Sequence, residues 1–224
     1  MKRIQVGMVL LALSLCVACT ANAQMGMNLF QKPAIAKFLK PVVGKGAQYE
    51  MTFANPRSES SRSMEMGVLA KESVDGKEGY WMQIVMTNPK GEPILAKSLI
   101  TKDDFQTHKM IMQMPGKPAM EMPFNPSMAR EQKMEESMNE WHLLGTETIT
   151  VPAGTFVCEH YRNESKGSDF WASEKVSPFG MVKSVSKNET MVLTKLLNDV
   201  PDRIPGPVTK FDPHMMMQQH EQKP

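Results

Sequence analysis

From Gln48 to Leu197, apolar and polar residues alternate in short runs, the period-2 signature of strands that bury one face, and clusters of Gly, Pro, Asn and Asp interrupt the alternation. The runs Gln48 to Ala54, Ser63 to Lys71, Tyr80 to Thr87, Ile94 to Thr101 and His108 to Met114 predict strands. Turn formers stand between them: Asn55-Pro56, Val74-Asp75-Gly76-Lys77, Asn88-Pro89-Lys90-Gly91 and Pro115-Gly116-Lys117-Pro118. Connections this short join antiparallel neighbours, so the pattern predicts a meander of hairpins. A second series, Thr146 to Val151, Thr155 to Asn163, Asp169 to Ala172, Met181 to Lys187 and Met191 to Leu197, brings the sheet to about nine or ten strands.

Helical periodicity shows in two places. In Pro33 to Lys40, the residues Ile35, Phe38 and Leu39 fall at i, i+3 and i+4, with Pro33 near the start and Pro41 as the stop. Further on, Asn125 is a good N-cap, Pro126 suits the first helical position, and the stretch to Asn139 is rich in Met, Ala, Glu, Gln and Lys. Met134, Met138 and Trp141 lie at i, i+4 and i+7, one apolar stripe if that helix reaches Trp141. Glu131 and Glu135 read as its solvated face, not as a carboxylate pair with a task. The expected fold is therefore mainly β, of the α+β class: one antiparallel sheet, one short N-terminal helix and one helix inserted near 125–139. From Asp199 to Pro224 prolines break any period, and an irregular or disordered tail is expected.

The N-terminus reads as an export leader. Met1-Lys2-Arg3 is the positive region, Ile4 to Ala18 is almost continuously apolar, and Ala21-Asn22-Ala23 is a small-x-small cleavage site, so the mature chain begins at Gln24. The apolar run, about 15 residues, is shorter than the roughly 20 that span hydrocarbon, so an integral membrane protein is not expected. A periplasmic or secreted protein follows. The alternative is a membrane-anchored lipoprotein, since Ala18 precedes Cys19 as in a lipobox, although Cys16 stands where an aliphatic residue is usual. With 1–23 removed, residues 24–198 make one domain, because 224 residues at 41% apolar content support one sizeable core.

The most distinctive stretch runs Thr148-Ile149-Thr150-Val151-Pro152-Ala153-Gly154-Thr155-Phe156-Val157-Cys158-Glu159-His160-Tyr161, followed by Phe170-Trp171-Ala172-Ser173 and Pro178-Phe179-Gly180-Met181-Val182-Lys183. It is strand, tight turn, strand, then a Gly-containing corner and another strand. In this it resembles bacterial envelope proteins of the lipoprotein-carrier (LolA/LolB-like) superfamily, and the order of elements elsewhere agrees. The resemblance implies a curved antiparallel half-barrel whose concave apolar face is lidded by helices and holds acyl chains. This chain departs from that pattern in its low aromatic content, 7%, and its load of 22 methionines.

Charge excludes one class of partner. With 26 basic and 24 acidic side chains, the net charge is +2, and the basic residues are scattered, so no nucleic-acid partner is expected. Cysteine counting leaves only Cys158 after the leader, so no internal disulfide forms. Alternation puts Cys158 on one face with Phe156 and His160, and the expectation is a buried structural thiol.

Methionine placement carries the functional hint. Met64 and Met66, Met110, Met112 and Met114, and Met120 and Met122 are spaced i, i+2 and so share a face of their strands. Thioether side chains repack around irregular ligands, and a buried alkyl chain gains about 0.8 kcal/mol per CH₂. Met64, Met66, Met110, Met112 and Met114, with Met134, Met138 and Trp141 from the helix, are therefore the candidate binding surface for a lipid or other hydrophobic ligand. Two alternatives stand beside it: an ordinary Met-filled core, and a soft-metal site for Cu(I), for which His214, Met215, Met216, Met217 and His220 are the candidate ligands. No zinc spacing occurs, no cofactor is expected, and His108, His142 and His160 read as structural. Enzyme signatures are lacking: Ser184-Val185-Ser186-Lys187 matches Ser-x-x-Lys but falls in an expected strand without companion motifs, so a non-enzymatic protein is expected.

Overall fold

Each run of alternating residues has become a strand, and neighbouring strands hydrogen-bond into one sheet. The computed structural model describes residues 37–54, 60–88, 90–104, 106–123 and 141–210. The strands are β1 (Gly46–Phe53), β2 (Ser60–Val74), β3 (Lys77–Thr87), β4 (Pro93–Thr101), β5 (Thr107–Gln113), β6 (Met120–Met122), β7 (Trp141–Val151), β8 (Gly154–Asn163), β9 (Ser168–Ala172), β10 (Met181–Val185), β11 (Glu189–Leu197) and β12 (Thr209–Lys210). Their order across the 12-stranded sheet is β12-β6-β5-β4-β3-β2-β1-β11-β10-β9-β8-β7. Two meanders, β1 to β6 and β7 to β11, are thus joined at the centre by the antiparallel pair β1 and β11.

The hairpins follow from their turn residues. Between β2 and β3, Asp75 and Gly76 have φ of 51° and 78°, the two left-handed positions of the hairpin turn that Asp-Gly favours. That tight turn lets β2 and β3 pair from Val74 and Lys77 back to Met64 and Met86.

Three expectations need correction or extension, and a fourth falls outside the described residues. Among the described residues the strands number twelve, because β6 and β12 are too short to show a period and form only where β5 and a returning chain offer partners. The described half of the expected Pro33–Lys40 helix, residues 37–40, is a turn and extended chain: the Lys40 amide donates to Pro178 O (3.0 Å) rather than into a helix, and Phe38 meets Tyr161 edge-on at 6.2 Å. Trp141 opens β7 opposite Asn163 and does not end a helix; it stands edge-on to Phe170 at 6.4 Å. The inserted helix near 125–139, with Met134 and Met138, lies outside the described residues, among which the fold is all β.

The segment after β11, expected to be irregular or disordered, is irregular but tightly held as far as residue 210. It crosses the sheet as a strap over a row of residues that the register puts on one face: Gly46, Gly67, Gln83, Lys97 and Ile111. Val200 fills the space over the glycines; a Cβ on Gly67 would lie 2.4 Å from Val200 Cγ1. Buried Gln83 donates from Nε2 to Pro201 O (3.1 Å) and accepts from the Arg203 amide (2.8 Å). Lys97 pairs with Asp202, Arg203 with Glu65 (2.8 Å), and Ile204 closes a cluster with Ile111 and Ala119 against Trp81, Leu95 and Val208. The strap ends by pairing β12 parallel to β6.

Candidate functional site

The face opposite the strap is the methionine face. Directly opposed residues of an antiparallel pair project to the same side, so the register can be followed across the sheet. One row reads Leu193, Tyr49, Met64, Met86, Ile94; the next reads Ala47, Met66, Ile84, Ala96, Met112, Met120; a third reads Met82, Ser98, Met110, Met122. The expected i, i+2 pairs do share one face, as the pleat requires.

Burial divides that face. Its centre is sealed: Met64 is 0% exposed and Met66 2%, and Met51, Met82, Ile84, Met191 and Leu193 are likewise buried. Tyr49 is fully buried among them, donates to Met181 O (3.0 Å), and has its pKa raised by burial. Toward β6 the same face opens, and Met86, Ile94, Ala96, Met110, Met112, Met120 and Met122 are only partly buried, with Met114 40% exposed past the end of β5. Met64 and Met66 therefore belong to the packed core, whereas Met110, Met112 and Met114 border water. Met66 and Met112 are three strands apart, about 14 Å.

Among the described residues, Lys71 and Arg62 also rise from this face. Lys71, opposite Tyr80, pairs with Glu78, and Tyr80 has its pKa pushed up to about 12 by burial and by Glu78. Arg62, opposite Met51 at the other end of β2, has no hydrogen-bond or ion-pair partner among the described residues, and its Nε is buried. Its guanidinium lies over the Phe53 ring, 5.1 Å from the centroid. Arg162 and Arg203 have carboxylate partners, Asp169 and Glu65.

On the other face of β8 and β9 sits a polar cluster that alternation alone did not reveal. The His160 ring stacks on Trp171 at 4.2 Å and bonds Glu147 through Nδ1 (2.9 Å) and Asp169 through Nε2 (2.7 Å). Burial would raise the pKa of Asp169, but Arg162 and His160 hold it below the usual carboxylate range. His160 is thus a fully bonded structural residue, and His108 bonds Thr101 Oγ1 (3.2 Å). Cys158 is 1% exposed, with its thiol pushed up to about 11 by burial and by Glu147; at that value the thiolate a nucleophile needs is scarce. Ser184 and Lys187 fall at and beyond the end of β10, where Lys187 is exposed.

Among the described residues no group of His, Cys, Asp and Glu could hold a metal ion. The soft-ligand candidates His214, Met215, Met216, Met217 and His220 lie outside the described residues. The register does oppose Met110 to Met122 and Met112 to Met120 across one ladder. No described helix is long and apolar enough to cross a membrane.

Neither a protein-family model nor a curated protein matches the chain. Its structure aligns with those of several bacterial proteins. A candidate lipoprotein of Parabacteroides distasonis aligns at 18% identity and a TM-score of 0.39, over 71% of this chain and 97% of that one. A chain of the MucA/MucB complex of Pseudomonas aeruginosa aligns at 12% identity and a TM-score of 0.41, over 77% of this chain and 58% of that one. A candidate outer-membrane lipoprotein-sorting domain of Vibrio parahaemolyticus aligns at 11% identity and a TM-score of 0.33, over 84% of this chain and 95% of that one. The likeness is one of fold.

Proposed function

We propose that the mature chain, beginning at Gln24, is a non-enzymatic envelope protein that holds a lipid or other hydrophobic ligand on the open part of its methionine face. The observation that carries this reading is the change in burial along one face: a sealed centre continues without a break into a partly buried strip of Met86, Ile94, Ala96, Met110, Met112, Met120 and Met122. The strip is contiguous across β3 to β6, so a single apolar ligand would cover it in one piece. Covering it with an alkyl chain of ten methylenes would contribute about 8 kcal/mol before the cost of ordering the partners. Gentle organic extraction of protein purified from its native envelope is expected to release a hydrophobe. Met112→Glu should abolish its retention while circular dichroism stays native. Folded wild-type protein that carries no hydrophobe and takes up no fatty-chain probe refutes the reading.

A second reading, Cu(I) held by thioethers, draws support from the opposition of Met110 to Met122 and Met112 to Met120. Four flexible side chains on adjacent rungs have the reach to converge on one ion. Anaerobic titration against a Cu(I) chelator separates the two readings, because Met112→Leu would destroy a metal site yet preserve an apolar one. Tight binding that survives Met112→Leu but vanishes on deletion from Asp212 would place copper on the tail.

A further inference from the structure

We infer that the ligand of the methionine face is an anionic amphiphile, whose alkyl chain lies along Met86 and Ile94 and whose carboxylate or phosphate docks on Arg62. This rests on the reading that the face holds a hydrophobic ligand, and adds the chemistry of the ligand's head.

The argument begins with the register. Arg62 lies opposite Met51 and two residues before Met64, so its side chain rises from the apolar face, whereas Ser61 and Ser63 occupy the other face. A guanidinium in such a place normally meets a carboxylate, because its donors lose water on burial and need acceptors in exchange. Arg162 and Arg203 obey that rule with Asp169 and Glu65. Arg62 does not: Nε is buried with no acceptor, and its one contact of note is the Phe53 ring beneath it. A ring face attracts the cation but accepts none of its in-plane N–H groups, so the fork that recognises carboxylate and phosphate is left free.

Position completes the case. Arg62 stands where β1 ends and β2 begins, at the rim of the rows that lead through Met64 and Met86 to Ile94. From Arg62 to Ile94 is two strand spacings across the sheet and two residues along it, about 12 Å, within the reach of an extended dodecyl chain. The alternative charge on this face, Lys71, is at the far end and already paired with Glu78. An amphiphile with its head at Arg62 would cover the part of the strip formed by Met86 and Ile94 and satisfy the orphaned donor together.

The test compares dodecanoate, dodecyl phosphate and dodecanol as ligands of the mature chain at a pH where both acids are ionised. Wild-type protein is expected to prefer at least one anion over the alcohol by about tenfold or more, as a charge-assisted hydrogen bond warrants. Whichever anion is preferred identifies the head group. Arg62→Met should erase the preference while dodecanol binds as before, and Arg62→Lys should restore part of it. Removing an unsatisfied buried donor is not expected to unfold the domain, which circular dichroism verifies. Equal binding of anion and alcohol by the wild type, or a preference that survives Arg62→Met, overturns the inference and leaves hydrophobic binding standing. If folded protein binds none of the three, the hydrophobic reading falls and this inference with it.

Discussion

Gln83→Leu is the sharpest test of how the strap is held. Gln83 is 2% exposed, and both ends of its amide serve the strap: Nε2 donates to Pro201 O at 3.1 Å and Oε1 accepts from the Arg203 amide at 2.8 Å. Leucine is close in size but offers neither group. Each lost hydrogen bond costs about 0.5–1.5 kcal/mol net, and because Pro201 and Arg203 border water their freed groups are partly resolvated. The expected loss is about 2 kcal/mol, or a fall in Tm of about 4–8 °C for a domain this size. Urea unfolding followed by circular dichroism measures it. Hydrogen exchange over 199–210 should rise together with the loss, which locates the damage. Gln83→Glu sharpens the test: the carboxylate still accepts from Arg203 but repels Pro201 O, so this variant should be weaker at neutral pH than in acid, where a protonated oxygen can donate. A Gln83→Leu protein within about 0.5 kcal/mol of wild type, with unchanged exchange in the strap, would refute the anchoring role.

Cys158, with its pKa raised to about 11 by burial and by Glu147, should resist thiol reagents in the native protein at mildly alkaline pH and react promptly once urea unfolds it; rapid native labelling would contradict the buried placement. Asp104 is held down to about 2 by Lys77 (2.6 Å) and Thr101, below the roughly 3.9 of an unfolded chain. Its contribution is therefore complete above about pH 4 and disappears as pH falls toward 2, and since the pair is partly exposed it amounts to less than about 1 kcal/mol. The gap in urea midpoint between wild type and Asp104→Asn should narrow as pH falls through that window; a constant gap would show that the ion pair does not set it.

Local pattern made much of the sheet legible. A strand's period is carried by its own residues, so the runs from Gln48 to Leu197 identified each long strand, and Asp75-Gly76 identified its turn by the backbone conformation those residues tolerate. The i, i+2 spacing of Met110 and Met112 likewise put both on one face. Periodicity says which residues share a face, however, and not which part of that face is sealed. Met64 and Met112 look alike in sequence, yet one is buried at the centre of the sheet and the other lies on the partly buried strip toward β6. Nor does Arg62 announce itself, because its lack of a partner depends on which carboxylates the fold brings near.

Only the tertiary structure decided how the two meanders join, since the pairing of β1 with β11 links residues far apart in the chain and no local preference encodes it. The same holds for the strap. Residues 199–210 carry no period because they form no face of their own; they are held by Gln83, Lys97 and Glu65 and by the space that Gly46 and Gly67 leave open, all contributed by strands distant in sequence. The order of apolar and polar residues was enough to specify strands with two distinct faces, whereas assigning one face to the strap and leaving the methionines of the other partly open required the strands to be assembled first.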